Sequence, residues 1–368
     1  MSPVDEVPVD RPVGVGVVGL SARGGWGSGA HLPAMAAAGG FELRGLVAGS
    51  RESSRAAARR FGVPAYDSAG QLAAAEDVDL VVVAVRTPEH RDLVLPALAA
   101  GKPVFCEWPF AVSHAEAVEM SAAAAGLPTF VGLQGRSSPR FRWLADLVAD
   151  GYVGELLSAT VLSAAAEWGS PVSEREAYTL DREQGATMLA IAFGHAIDPV
   201  LMVTGELRDV VATTAVRRPR VPLAGTGRFV PVTADDQIAI SGTLLGGAVL
   251  SAHQRGGTAS GPGFSLRLDG TAGTLVATAA NHPHIAPLTV HGARRGRDLA
   301  RLEVPPAYDA FPHLHGTSVH TLAHAYAGIG RELRGGARTV PDFAHAVRRH
   351  RLLDAVPRSA ATGRRVDL

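Results

Sequence analysis

A run of small residues follows the first apolar stretch of the chain: Gly19-Leu20-Ser21-Ala22-Arg23-Gly24-Gly25-Trp26-Gly27 comes directly after Val13–Val18. Bare backbone at such a turn can approach a phosphate closely and offer it N–H groups. Gly14, Gly16 and Gly19 also have G-x-G-x-x-G spacing, but the first two lie inside the strand-like run, and the phosphate-binding pattern belongs to the turn after it. The working register is therefore Gly19-x-Ser21-x-x-Gly24. The first position makes the tight turn, the second faces a pyrophosphate, and the third lets the helix pack on the strand. Ser21 replaces a second glycine; it is small, and its hydroxyl can donate to phosphate. Gly25, Gly27 and Gly29 lengthen the loop, which also holds Trp26. An ordinary glycine-rich turn is the plain alternative, and the strand–helix context described below favours dinucleotide binding.

The tip of the second strand-like run selects between cofactors. NAD sites place Asp or Glu there, bonded to the ribose hydroxyls. Here the tip reads Val47-Ala48-Gly49-Ser50-Arg51, with no carboxylate before Glu52. Without an acid there is no repulsion against a 2′-phosphate, and Ser50 and Arg51 can bind one. NADP is expected over NAD. Farther along, Glu167-Trp168-Gly169-Ser170-Pro171 reads as a loop at the lip of a substrate cleft, and Tyr178 is a fallback acid or hydrogen-bond donor. His282, His284, His313, His315 and His320 invite a metal reading, but their spacing matches no zinc pattern, so no metal is expected.

These residues need elements to hold them. Strand-like runs at 13–18, 42–48, 79–85, 103–106 and 129–133 alternate with helical runs at 30–38, 53–61, 89–100 and 113–125. Ser113 with Glu116 three residues on is a capping-box spacing. This alternation predicts a doubly wound parallel sheet of Rossmann type. Beyond it, helices are expected at 139–150, 188–203, 320–333 and 341–355, the last burying Ala344, Val347, Leu352 and Leu353. Strand-like runs at 156–165, 210–216, 237–245, 248–253, 265–269 and 273–277 predict a large, open, mostly antiparallel sheet in a second α/β domain. Residues 221–232 look like a mobile connection. The boundaries expected are a flexible tail over 1–11, a dinucleotide-binding domain over 12–134, and a substrate-binding and oligomerisation domain over 135–368.

Composition bounds the function classes. With 368 residues, the usual domain size of about 100–200 residues gives two domains. Acidic and basic side chains balance at 35 each, so there is no electrostatic footprint for nucleic acid or an anionic membrane. The longest apolar run, 80–85, is too short to span a bilayer. The N-terminus lacks the order of a signal peptide. The single cysteine, Cys106, rules out internal disulfides, and a cytoplasmic protein is expected.

Several segments then match a known pattern in order: the phosphate loop; Val85-Arg-Thr87-Pro88-Glu-His90; Ala100-Gly-Lys-Pro-Val-Phe-Cys-Glu107-Trp108-Pro109; Gly151-Tyr-Val-Gly154; Gly194-His195-Ala-Ile-Asp198; and the tail after Ala355. In this order the chain resembles the Gfo/Idh/MocA family of sugar and polyol oxidoreductases over nearly its whole length. The resemblance implies that Thr87, Pro88 and His90 line the nicotinamide side of a cleft between the domains. It implies that Glu107 and Pro109 match the family's Glu-Lys-Pro motif and hold the ribose, with Gln134 and Arg136 close to cofactor and substrate. His195 matches the catalytic histidine.

Two positions depart from the family. Trp108 stands at its catalytic lysine, and Ile191 at its aspartate, four residues before His195. An indole N–H is neither a cation nor a useful acid, and isoleucine cannot orient a histidine. The Glu-Trp pair resembles the Gal80-like branch, which includes a fungal transcriptional regulator that keeps a dinucleotide site. Two readings follow. One is an NADP-dependent oxidoreductase of a sugar-like or polyol substrate, homodimeric or homotetrameric. Its hydride would pass in the cleft, His195 would be the main acid or base with Glu107 and Tyr178 assisting, and Trp108, Arg136, Trp168 and Ile191 would contact substrate. The other is a non-catalytic NADP-binding sensor that engages a protein partner. The plain alternative for His195 is a satisfied core histidine, and the apolar helix face accounts for Ile191.

Overall fold

A computed structural model describes residues 11–260 and 263–368. Residues 1–10, nearly all of the expected tail, lie outside them. Arg11 does not belong to a tail: its guanidinium donates to both Asp79 carboxylate oxygens at 2.6 and 2.8 Å. The chain divides into two compact units, the first ending at Ser137 and resuming over Ser318–Arg348, the second formed by Ser138–Thr317 and Arg349–Leu368. The return of 318–348 to the first unit is a placement that a single boundary at 134/135 does not express.

In the first unit the chain runs β1 (Val13–Val18), α1 (Leu32–Ala38), β2 (Phe41–Val47), α2 (Arg51–Phe61), α3 (Ala69–Ala73), β3 (Leu80–Val83), α4 (His90–Ala99), β4 (Val104–Cys106), α5 (His114–Ala123) and β5 (Thr129–Val131). The five strands form one parallel sheet in the order β2-β1-β3-β4-β5. β1 is buried along its whole length, as its unbroken valine–glycine run requires of a strand covered on both faces. Gly14 and Gly16 are packing glycines: a Cβ would lie 1.9 Å from Asp77 O at the first and 2.8 Å from Leu72 Cγ at the second. The strand order reverses between β1 and β3, where sheets of this kind open a crevice at the strands' carboxyl ends. Ser113 caps α5 as its spacing predicts, accepting from Glu116 N at 3.2 Å. The short α3, capped by Ser68, has too few residues to leave a periodic signal.

The second unit begins with α6 (Pro139–Ala149), β6 (Leu156–Ala164) and α7 (Gly194–Thr204), followed by β7 (Asp209–Ala215), β8 (Arg220–Pro222), β9 (Phe229–Pro231), β10 (Gln237–Thr243), β11 (Val249–Arg255), β12 (Gly263–Gly270), β13 (Gly273–Ala279), β14 (Thr289–Arg294) and β15 (Ala300–Leu302). After α8 (His320–Glu332) and α9 (Phe343–Thr362), β16 (Val366–Asp367) closes the chain. Nine strands make a sheet in the order β15-β14-β13-β12-β6-β11-β10-β7-β16, antiparallel except for β6 beside β11. Alternation sets its faces. Val161, Ile240, Leu250 and Leu266 are buried, while Leu162 and Val249 on the opposite face are exposed. Residues 221–232, expected as a mobile connection, instead lie almost wholly in the β8–β9 ribbon, where Arg220–Pro222 pair with Phe229–Pro231.

α8 and the start of α9 belong to the first unit. Val131 N donates to Pro341 O at 2.8 Å, and Phe343 packs on Phe110 with ring centroids 4.3 Å apart. Of the stripe expected on α9, Leu352 and Leu353 are buried, Val347 is half-buried and Ala344 is exposed; Phe343, Ala346, Ala355 and Val356 are among the other buried apolar residues. In the second unit, Arg349 joins Asp198 of α7 at 3.2 Å and also pairs with Glu206, and both Arg349 and Asp198 are buried. Removing one member of such a pair leaves a charge stranded away from water. No helix among the described residues is long and apolar enough to cross a membrane.

Candidate functional site

The glycine loop of the first unit leaves β1 at Gly19, whose φ of 99° suits glycine and where a Cβ would lie 2.3 Å from Ala84 O. Gly24 and Gly25 have φ of 104° and 119°, and nothing stands within 4 Å of a Cβ built on Gly24. The loop thus shows open backbone where a pyrophosphate would sit, so the residues present fit a dinucleotide. Ser21 Oγ accepts from Arg23 N at 3.1 Å, which leaves its O–H to donate. Arg60 of α2 donates to Ala22 O and fastens the loop. A five-residue π-helical turn, Gly27–His31, follows half-buried Trp26 and leads into α1.

Ser50 caps α2, accepting from Ser53 N at 3.2 Å. Arg51 is 76% exposed and pairs with Asp67 at 3.2 Å. No carboxylate stands at the β2 tip, and a 2′-phosphate would draw Arg51 away from Asp67.

After β3, Thr87 is buried and Pro88 exposed. His90 is turned inward, contrary to a lining role. Its Nε2 lies 3.1 Å from Val85 O, and its Nδ1 lies 3.2 Å from Phe110 O and 3.3 Å from Cys106 Sγ. Burial pushes its pKa down despite those carbonyls, and His90 clamps the loops after β3 and β4 together. After β4, Trp108 is buried and the Trp108–Pro109 peptide is cis. Glu107 Oε1 lies 2.9 Å from Nε2 of buried His31, whose Nδ1 lies 2.7 Å from Tyr326 Oη. Burial first, and the Glu107 charge second, push the Tyr326 hydroxyl well above its ordinary range. A Cβ on Gly132 would lie 2.6 Å from Glu107 Oε2, so glycine leaves room for that carboxylate. Gln134 is buried and Arg136 half-buried in the turn Gln134–Ser137.

In the second unit, His195 sits near the start of α7, straight after a π-helical turn at Leu189–Phe193. Hydrogen bonds of i→i+5 type widen that turn, so the four-residue step from Ile191 to His195 is not the regular α-helical turn that the spacing suggested. Ile191 instead lines a cavity of about 350 Å³ with Glu167, Trp168, Pro171, Val172 and Leu180. Trp168 holds φ at 53°, unusual for a bulky residue, and its buried indole N–H has no partner among the described residues. Tyr178 lies in a 3-10 turn, Ala177–Leu180; its neighbours Thr179 and Leu180 line the cavity, and Tyr178 does not.

His195 has a neighbour that sequence reasoning set aside. The His284 ring stacks flat on it, with centroids 3.8 Å apart and planes 11° from parallel. The His282 ring is 5.8 Å from His284, and its Nε2 lies 3.7 Å from Glu167 Oε2. Burial, then the two neighbouring imidazoles, push His284 well below its ordinary value. The contact to His282 outweighs burial and lowers Glu167.

Residues 13–133 match the family described as "Oxidoreductase family, NAD-binding Rossmann fold", and residues 139–279 match "Gal80p, C-terminal domain". The first match is a Gfo/Idh/MocA-type NAD-binding domain, and the second a Gal80-like C-terminal domain. It is similar to the galactose/lactose metabolism regulatory protein GAL80 of Saccharomyces cerevisiae, 29% identical over 70% of this chain and 63% of that protein. It is also similar to dehydrogenase aclE of Aspergillus oryzae, 32% identical over 50% of this chain and 52% of the relative. The chain thus spans less than two thirds of the length of these relatives. A levoglucosan dehydrogenase solved with NADH and L-sorbose shares the fold, with a TM-score of 0.82, 23% identity, and coverage of 96% of this chain and 98% of that one.

Proposed function

We propose that this chain is an NADP(H)-dependent oxidoreductase acting on a sugar-like or polyol substrate. The observation that carries the reading is His195 beside His284, on the helical segment whose Ile191 lines a ligand-sized cavity. When bound, the nicotinamide supplies or accepts the hydride. The chain's residues do the rest. Open backbone from Gly19 to Gly25 would hold the pyrophosphate, and Ser50 and Arg51 the 2′-phosphate. Thr87, Pro88, Glu107, Trp108, Pro109 and Gln134 would border the nicotinamide and its ribose. Trp168 would offer a substrate ring an apolar face and a donor for a hydroxyl, Ile191 would close the seat, and Arg136 would contact substrate. His195 would move the proton at the reacting oxygen, with Glu107 and Tyr178 in supporting roles. A sugar dehydrogenase among proteins of this fold accords with the substrate class. A second copy in a homodimer or homotetramer would cover the sheet face that exposes Leu162 and Val249.

The second reading is a non-catalytic NADP-responsive regulator that engages a protein. It is favoured by Trp108 and Ile191 at the lysine and aspartate positions, and by the Gal80p C-terminal match. Single-turnover mixing separates the two. Stoichiometric protein with NADPH or NADP⁺ meets a panel of sugars, keto-sugars and polyols while nicotinamide absorbance is followed. The enzyme reading expects a change with at least one compound, reduced about 10²–10⁴-fold in His195→Ala. Tight NADP binding with silence across the panel would favour the regulator, and turnover undiminished in His195→Ala would remove the role given to that histidine.

A further inference from the structure

We propose that His284, with His282 and Glu167 behind it, is the positioning group for His195, standing in for the lysine and aspartate that this chain lacks. The proposal rests on the reading of His195 as an acid–base group, and its argument is geometric. An imidazole that must take or give a proton at a fixed oxygen needs its ring plane held. Family members offer an aspartate one turn away, and Ile191 cannot do this. Here a flat neighbour at 3.8 Å and 11° holds the plane instead.

The turn that carries His284 is itself secured. The Asn281 side chain accepts from His282 N at 2.8 Å, and Ile285 N and Ala286 N both donate to His282 O, at 3.1 and 3.0 Å. The titratable groups facing His284 are His195 from α7 and His282 from its own turn, with Glu167 beyond His282. Two imidazolium rings 3.8 Å apart and away from water repel strongly, so the stacked pair holds one proton at most. Burial keeps His284 the neutral member. The proton removed from a substrate hydroxyl therefore rests on a ring nitrogen of His195 and leaves from there to solvent; none crosses between the stacked ring faces.

Histidine ring NMR on the full-length, isotope-labelled protein tests this without any need for turnover. The wild type, His284→Phe, His284→Ala and Glu167→Gln would be titrated from pH 8 to pH 5, with resonances assigned by His195→Phe and His284→Phe. The proposal expects His284 to stay neutral throughout. It expects the His195 midpoint to move by at least about half a pH unit in His284→Ala. His284→Phe, which keeps a flat face and so guards against a mere packing defect, should retain the His195 ring environment. Glu167→Gln, which removes only the carboxylate beyond His282, should leave His284 neutral. The proposal falls if His195 and His284 titrate independently near the ordinary histidine value of about 6.5, or if His195 behaves identically in the wild type and His284→Ala. Coupled titration without hydride transfer in any variant would leave the pair standing and overturn the enzyme reading alone.

Discussion

Each unit strings a carboxylate to buried aromatic and imidazole groups, and the two strings differ in where they end. In the first unit, Glu107, His31 and Tyr326 are all buried, with Phe105 edge-on to both His31 and Tyr326. In the second, Glu167 lies exposed at the rim of the cavity, and the chain of rings leads inward through His282 and His284 to His195. The buried string can hold the Glu107-Trp108-Pro109 turn in place. The string that reaches the rim of a cavity can hold the plane of the His195 ring. The main acid–base group is therefore better sought in the second unit.

The contrast can be broken most forcefully at α7. Asp198→Ala removes one of the two carboxylates paired with buried Arg349, leaving it to Glu206, and should cost up to about 3–5 kcal/mol of stability, read by urea unfolding. If the change were neutral, the helix that carries His195 would not be anchored as described. Tyr326→Phe removes only the hydroxyl beside His31 and should cost about 1–3 kcal/mol. Its His195 titration should match the wild type, since the buried string plays no part in it, and a shifted midpoint would join what the comparison separates. Smaller again, Arg51→Ala should weaken NADPH about three- to tenfold, with NADH unaffected, because Arg51 is exposed and must first leave Asp67. Retention of the full preference in a fluorescence titration would show Arg51 to be a solvated loop residue.

The smallest effect belongs to Asp79. Burial would raise its carboxyl, but Arg11 and the Gly14 N–H outweigh burial and hold it below its ordinary value. A lowered folded-state pKa means stability that is present above the unfolded value of about 3.9 and is lost as pH falls through the folded one. Asp79→Asn should therefore be less stable than the wild type at pH 7, by under about 1 kcal/mol given the exposure of Arg11. Thermal melts of the two should converge near pH 3. An equal gap at both pH values would assign the effect to geometry and not to charge.

Strand and helix placement was legible because β1 is a valine–glycine run that ends at Gly19, and Ser113 and Gly151 mark helix ends in the chain itself. Such signals act within a few residues, and the residue types at Ser50, Trp108 and Ile191 are likewise read directly from the chain. Other features depend on residues far apart in sequence. His31 meets Tyr326 across 295 positions, and His284 reaches His195 from a turn whose histidines carry no recognisable spacing. The inward turn of His90 depends on Phe110 and Val85 carbonyls that no pattern foretells. The π turn before α7 breaks the regular period that spacing arguments assume. Sequence alone determined the local backbone, the glycine loop and the absence of an acid–base side chain at Trp108 and Ile191, since these follow from side-chain type and short-range sterics. Only the tertiary structure decided which histidine stands against which, because burial and ring stacking belong to contacts that exist once distant segments have packed.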